Sequence, residues 1–198
     1  MLTSFLMNNR KRTVVFGGSF DPVHIGHISL ASEVCRRGLA SEVWFMVSPQ
    51  NPHKQGVALT DEKMRLQMVQ LAIEGLQGMR ASDFEFGLPR PSYTVNTLAA
   101  LEQVFPDREF LLLIGADNWD KFGFWYKGDE ILARYGIIVY PRDGEECPEL
   151  PKGVTWLQAE LHDVSSTMVR NMVSAGKDIR GLVPDSVAEF IERNELYK

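Results

Sequence analysis

A chain of 198 residues can bury its own core without a disulfide or a metal staple, and one domain is the expected count. Its hydrophobic fraction of 44% and charged fraction of 24% fit an ordinary globular protein, and it holds no apolar run of membrane-spanning length. The net charge of −5 argues against a general nucleic-acid or membrane binder, yet a few local cations can still hold a small anion.

Met1 to Arg12 starts apolar and turns basic, the reverse of a signal peptide, and reads as a short extension before one domain at 13–198. Thr13 to Phe16 is β-branched and apolar, so a buried first strand is expected. Gly17 and Gly18 then let the backbone turn and approach a ligand with no Cβ in the way. Ser19-Phe20-Asp21-Pro22 continues the loop, because proline biases the residue before it away from helix. The apolar periodicity of Ile28 to Val34 predicts a helix starting near Gly26, which puts His24 and His27 at its first turn. Free N–H groups and the positive dipole end make that turn an anion site, and two imidazoles three residues apart can face one phosphate.

Further on, Glu42 to Val47 reads as a strand, and Ser48 to Lys54 as a proline-broken loop carrying His53 and Lys54. Thr60 is the expected cap of a helix with Met64, Met68, Leu71 and Ala72 on its apolar face. Ala81 to Phe86 alternates and predicts a third strand, and Thr94 to Val104 predicts a helix. Glu109 to Ile114 is a continuous apolar run, the pattern of a strand buried on both faces, and it ends in Gly115-Ala116-Asp117. A helix at Asp129 to Tyr135, a strand at Gly136 to Tyr140, a polar loop, and a strand at Val154 to Leu157 follow. Ser165-Ser166-Thr167 caps a helix, and Pro184 to Asn194 forms the last one. Cys35 and Cys147 make no CxxC pair and read as reduced thiols of a cytoplasmic protein. Strands alternating with helices predict an α/β, three-layer, doubly wound parallel sheet, with its ligand crevice outside the carboxyl ends of the strands.

Several loops after strand ends carry chemistry, each with an ordinary structural use beside it. Thr94 can simply cap its helix, or the helix start can hold a carboxylate through N–H groups and a hydroxyl. Trp125 and Tyr126 can be core, but an aromatic face also stacks on a pyridinium ring. Ser165 to Arg170 can be a cap and an exposed cation, or a second phosphate-facing helix start.

Gly17-Gly18-Ser19-Phe20-Asp21-Pro22-Val23-His24-Ile25-Gly26-His27 resembles the GGSFDPxHxGH signature of the class I nucleotidyltransferases, and closely that of the nicotinate mononucleotide adenylyltransferases. Ser165 to Arg170 is similar to the family's SSTxxR motif, with Val169 where isoleucine is usual. The matches span residues 13 to 170, and the resemblance implies the Rossmann-like nucleotidyltransferase fold. It also implies adenylyl transfer from ATP to nicotinate mononucleotide, giving deamido-NAD and pyrophosphate, with Mg²⁺ arriving on ATP and no dedicated protein metal site. By resemblance His27, His24, Lys54 and Arg170 are catalytic. Gly17, Gly18, Ser19, Phe20, His24, His27, Gly115, Asp117, Ser165, Ser166, Thr167 and Arg170 bind ATP, Asp117 through ribose. Thr94, Tyr93, Trp125, Tyr126, Ser19, Phe20 and Lys54 bind the acceptor. The partners so implied are ATP and nicotinate mononucleotide, with no nucleic acid and no membrane, and an oligomer is left open. Nicotinamide mononucleotide or phosphopantetheine as acceptor, and a non-catalytic nucleotide-binding module on the same fold, are the alternatives.

Overall fold

Val14, Val15 and Phe16 lie in the middle of the first strand and are buried on both sides, as their apolar run requires. The structure, a computed structural model, describes residues 10–49, 59–141, 147–159 and 162–198. In chain order the elements are β1 (Lys11–Gly18), α1 (Ile25–Arg36), β2 (Glu42–Val47), α2 (Glu62–Ala72), β3 (Met79–Ser82), α3 (Thr94–Val104), β4 (Arg108–Gly115), α4 (Ala116–Trp119), α5 (Gly128–Arg134), β5 (Gly136–Tyr140), β6 (Val154–Trp156), α6 (Ser166–Ser174) and α7 (Asp185–Arg193). Short 3₁₀ turns occupy Phe84–Gly87 and Phe122–Phe124.

The strands form one six-stranded sheet in the order β3-β2-β1-β4-β5-β6, every neighbouring pair parallel. Alternate side chains leave each strand on opposite faces, so each face carries its own core. Val14, Phe16, Val43 and Phe45 meet α1, α2, α6 and α7. Val15, Trp44, Leu112 and Ile137 meet α3, α4 and α5. The result is the α/β, three-layer, doubly wound sheet that the element order predicts. The chain runs outward from β1 to β3 and then returns to β4 on the other side of β1. That reversal opens a crevice beyond the carboxyl ends of β1 and β4, where ligands of such sheets bind.

Four local expectations shift. β1 begins at Lys11, two residues before Thr13, and pairs with Arg108 there. The third strand is Met79–Ser82 rather than Ala81 to Phe86; Phe84 and Phe86 instead sit on a 3₁₀ turn, with Phe86 N–H donating to Asp83 O at 2.8 Å. That turn sends Phe84 to one core and Phe86 to the other, which a strand's alternation cannot do. The cap of α2 is Asp61, whose carboxylate accepts from the Lys63 and Met64 N–H groups, and not Thr60. The cap position of α3 is Tyr93, making no side-chain hydrogen bond, with Thr94 as the first helical residue.

Candidate active site

The loop after β1 is built around Phe20. Its φ of 47° turns the chain left-handed, and its ring is buried against Phe16, Phe45 and His27. A Cβ on Gly18 would come to 3.0 Å from that ring, so the glycine is a packing requirement as well as an open approach. Any contact of Phe20 with a ligand is therefore through its backbone.

His24 takes an extended conformation and starts α1. The His27 ring reaches back, its Nδ1 accepting from the His24 N–H at 3.2 Å. With Nδ1 an acceptor, the proton of the neutral His27 ring resides on Nε2. The two rings lie 3.6 Å apart between centroids at 31°. Burial holds the His24 imidazole down at about 4, with a further push from His162. Burial, and then His24, keep His27 well below its ordinary range. Both rings are thus neutral at pH 7. His24 Nδ1 is buried without a hydrogen-bond partner among the described residues.

α6 docks against the same loop. Ser165 caps α6 by accepting from the Met168 N–H at 3.1 Å. Ser166 donates to Pro22 O at 2.8 Å, and Arg170 donates to Asp21 O at 2.7 Å and to the Thr167 hydroxyl at 3.2 Å. The two motifs, more than a hundred residues apart, are therefore in direct contact.

Beside this loop is a cleft of about 420 Å³. The backbone of Gly17, Gly18 and Gly115 forms one side, and Tyr93, Thr94, Trp125 and Tyr126 line it as well. The N-terminus of α3 thus opens onto the cleft beside a tilted ring pair; Tyr93 and Tyr126 lie 4.6 Å apart between centroids at 37°. Asp117 sits in the first turn of α4, immediately after β4. A Cβ on Gly115 would stand 2.8 Å from Asp117 Oδ1 and 3.1 Å from the Tyr140 ring, so only glycine lets these groups close in there. Lys54, with His53, lies outside the described residues.

Three polar residues at the site, Arg65 and Glu85 buried and Tyr197 half-buried, were not singled out by sequence. Arg65 on α2 is buried, and its guanidinium donates to the carbonyls of Ser19, Ser48, Pro49 and Thr60. It ties the loop after β1 to the loop after β2. Glu85 lines the cleft and accepts from the Ser48 and Thr97 hydroxyls, both at 2.8 Å; burial raises its carboxyl above the usual range. Tyr197 donates to the buried Asp21 carboxylate. The one available signal was for Arg65, which falls on the same helical face as Met68, Val69 and Ala72.

A sequence profile of the cytidylyltransferase-like family matches residues 15–172. The chain is 45% identical to a protein of Bacteroides thetaiotaomicron over 93% of its own length and 92% of that protein's. It is 47% identical to one of Bacteroides fragilis, with 92% of each covered. Each relative bears the name "probable nicotinate-nucleotide adenylyltransferase". The fold is also similar to the solved structure of Plasmodium falciparum nicotinic acid mononucleotide adenylyltransferase complexed with NaAD, at a TM-score of 0.78 and 19% identity over 94% of this chain and 97% of that one. A double-glycine loop, a histidine pair and a serine-capped helix at the reversal point of a parallel sheet thus accompany likeness along nearly the whole chain, and this chain belongs to the cytidylyltransferase-like family of nucleotidyltransferases.

Proposed function

We propose that this protein is a nicotinate-nucleotide adenylyltransferase, moving the AMP part of ATP onto nicotinate mononucleotide with release of deamido-NAD and pyrophosphate. The observation that carries the reading is one cleft lined both by Gly17, Gly18 and Gly115 and by Thr94, Trp125 and Tyr126. The first set offers bare backbone to a nucleotide. The second offers a helix N-terminus for a carboxylate and aromatic faces for a pyridine ring.

The acceptor's phosphate oxygen attacks the α-phosphorus of ATP; a new P–O bond forms as the bond to the β-phosphate breaks. The attacking oxygen is already anionic, so the protein's part is alignment and charge neutralisation. His27, through its Nε2 proton, and His24 bind the reacting phosphates. Arg170 and Lys54 take up charge on the leaving pyrophosphate. The N–H groups of Ser19 and Phe20, with the hydroxyls of Ser165, Ser166 and Thr167, complete the donor site, and Asp117 accepts from ribose. Trp125 and Tyr126 stack on the pyridine, and the start of α3 at Tyr93 and Thr94 holds its carboxylate. No group of three or more metal-ligating side chains exists among the described residues. Mg²⁺ would arrive with ATP, held largely by phosphate oxygens and water, and would offset their charge.

We place the reaction in the cytoplasm; Cys35 and Cys147 are free thiols, and no helix among the described residues is long and apolar enough to cross a membrane. The test is pyrophosphate release by the purified protein with a panel of acceptors. Nicotinate mononucleotide should give the highest kcat/KM, above nicotinamide mononucleotide and phosphopantetheine. ATP binding without pyrophosphate release from any acceptor would instead mark a non-catalytic nucleotide-binding module.

A further inference from the structure

The carboxylate of Asp21 lies at the centre of the phosphate loop, in the middle of the GGSFDP run, yet it is only 2% exposed and so does not itself face a ligand. Two separate parts of the chain meet it, and a third meets the main chain of the same residue. Tyr197, beyond α7, donates its hydroxyl proton to Oδ1 at 2.6 Å. The Thr60 N–H, ahead of α2, donates to Oδ2 at 3.3 Å. The main-chain oxygen of the same residue accepts from Arg170.

The tail that carries Tyr197 is itself fixed. Glu195 N–H donates to Glu192 O and Leu196 N–H to Ile191 O, both at 3.1 Å, and Glu195 and Tyr197 take positive φ angles of 53° and 63°. Leu196 packs on the core shared by α1, α2 and α7. A left-handed conformation at two non-glycine residues disfavours the tail's local geometry. The contacts at its end are what hold it there, and the Asp21 bond is the shortest of them.

We propose that Tyr197 is a positioning residue for the donor phosphate site. Through Asp21 it holds the backbone of Ser19 to Pro22, and with it Arg170, in the arrangement that receives the ATP phosphates. This rests on the reading of the Ser19–His27 loop as an ATP site, but not on which acceptor is used. A hydroxyl given to a buried carboxylate is a charge-assisted bond, and removing it leaves Asp21 short of a donor. The loop then relaxes, and affinity falls most for the ligand whose phosphates the loop receives and less for the one whose ring lies at α3.

The experiment is calorimetric titration of the full-length Tyr197→Phe protein with Mg²⁺ and α,β-methylene ATP, and separately with nicotinate mononucleotide. The analogue should bind about fivefold to tenfold more weakly, part of the worth of one charge-assisted bond passed on through the loop, with a smaller loss for the mononucleotide. Asp21→Asn should show the same selective loss, and the double variant should be no weaker than the worse single one, because both remove one interaction. An unchanged analogue Kd, an equal loss for both ligands, or a lowered Tm with both affinities intact would overturn the proposal. Because the readout is donor binding, wild-type protein that binds the analogue but releases no pyrophosphate would refute the assigned reaction and leave this inference standing.

Discussion

Burial suppresses the charge of the His24 and His27 rings. In the proposed reaction they meet the phosphates of ATP, whose charge favours the protonated form. Replacing His27 with alanine removes the Nε2 donor from the reacting phosphate, and kcat should fall by about 10²- to 10³-fold, the usual loss for one such donor. Near-normal turnover in single-cycle kinetics would refute the role. Burial also has a signature in stability. The His24 pKa of about 4 lies below the unfolded value of 6.5, so between these values the unfolded chain binds more protons. Stability is therefore complete above about pH 6.5 and declines as pH falls toward 4, by up to about 3 kcal/mol from this residue. Denaturant titrations at pH 7 and pH 4.5 should show the decline, and His24→Asn, which can still cap a helix, should make it shallower.

Elements bring these residues together by their ends. β1, β2, β4 and β5 deliver Gly18, Ser48, Gly115 and Tyr140 to one rim, while α3 turns its first residue, Thr94, toward the same space. The rim tolerates little added bulk. Gly115→Ala would force a methyl against Asp117 Oδ1 and the Tyr140 ring, and a flexible carboxylate cannot retreat without leaving its place. The expected outcome is a stability loss of about 1–3 kcal/mol by denaturant titration, with a higher KM for ATP. At this scale the sequence was readable wherever one force dominated. Continuous apolar runs announced β1 and β4, and the serine cap announced α6. Phe84 and Phe86 misled because aromatics two apart suit a strand, whereas here the edge strand ends at Ser82 and a 3₁₀ turn sends them to opposite cores. Arg65 and Tyr197 were hidden for a different reason. Their roles depend on carbonyls and a carboxylate brought near by tertiary structure, and such partners leave no spacing to read.

The whole molecule is one parallel sheet with a single reversal between β1 and β4, and that architecture was legible from the alternation of strands and helices alone. The order of motifs placed the candidate site as well, because the loops after β1 and β4 must share an end of the sheet once all strands are parallel. A ligand that bridges these loops binds only the folded state. α,β-Methylene ATP with Mg²⁺ at a hundred times its Kd should stabilise the protein by about 2.7 kcal/mol, and so raise Tm by roughly 5–10 °C in a thermal scan. No shift would mean that the loops do not form a nucleotide site. The sheet has one more consequence, for self-association. Its borders are β3, four residues long, and β6, three residues long. Among the described residues, borders that short expose few unpaired amides to a stranger's backbone, which disfavours edge-to-edge stacking of copies.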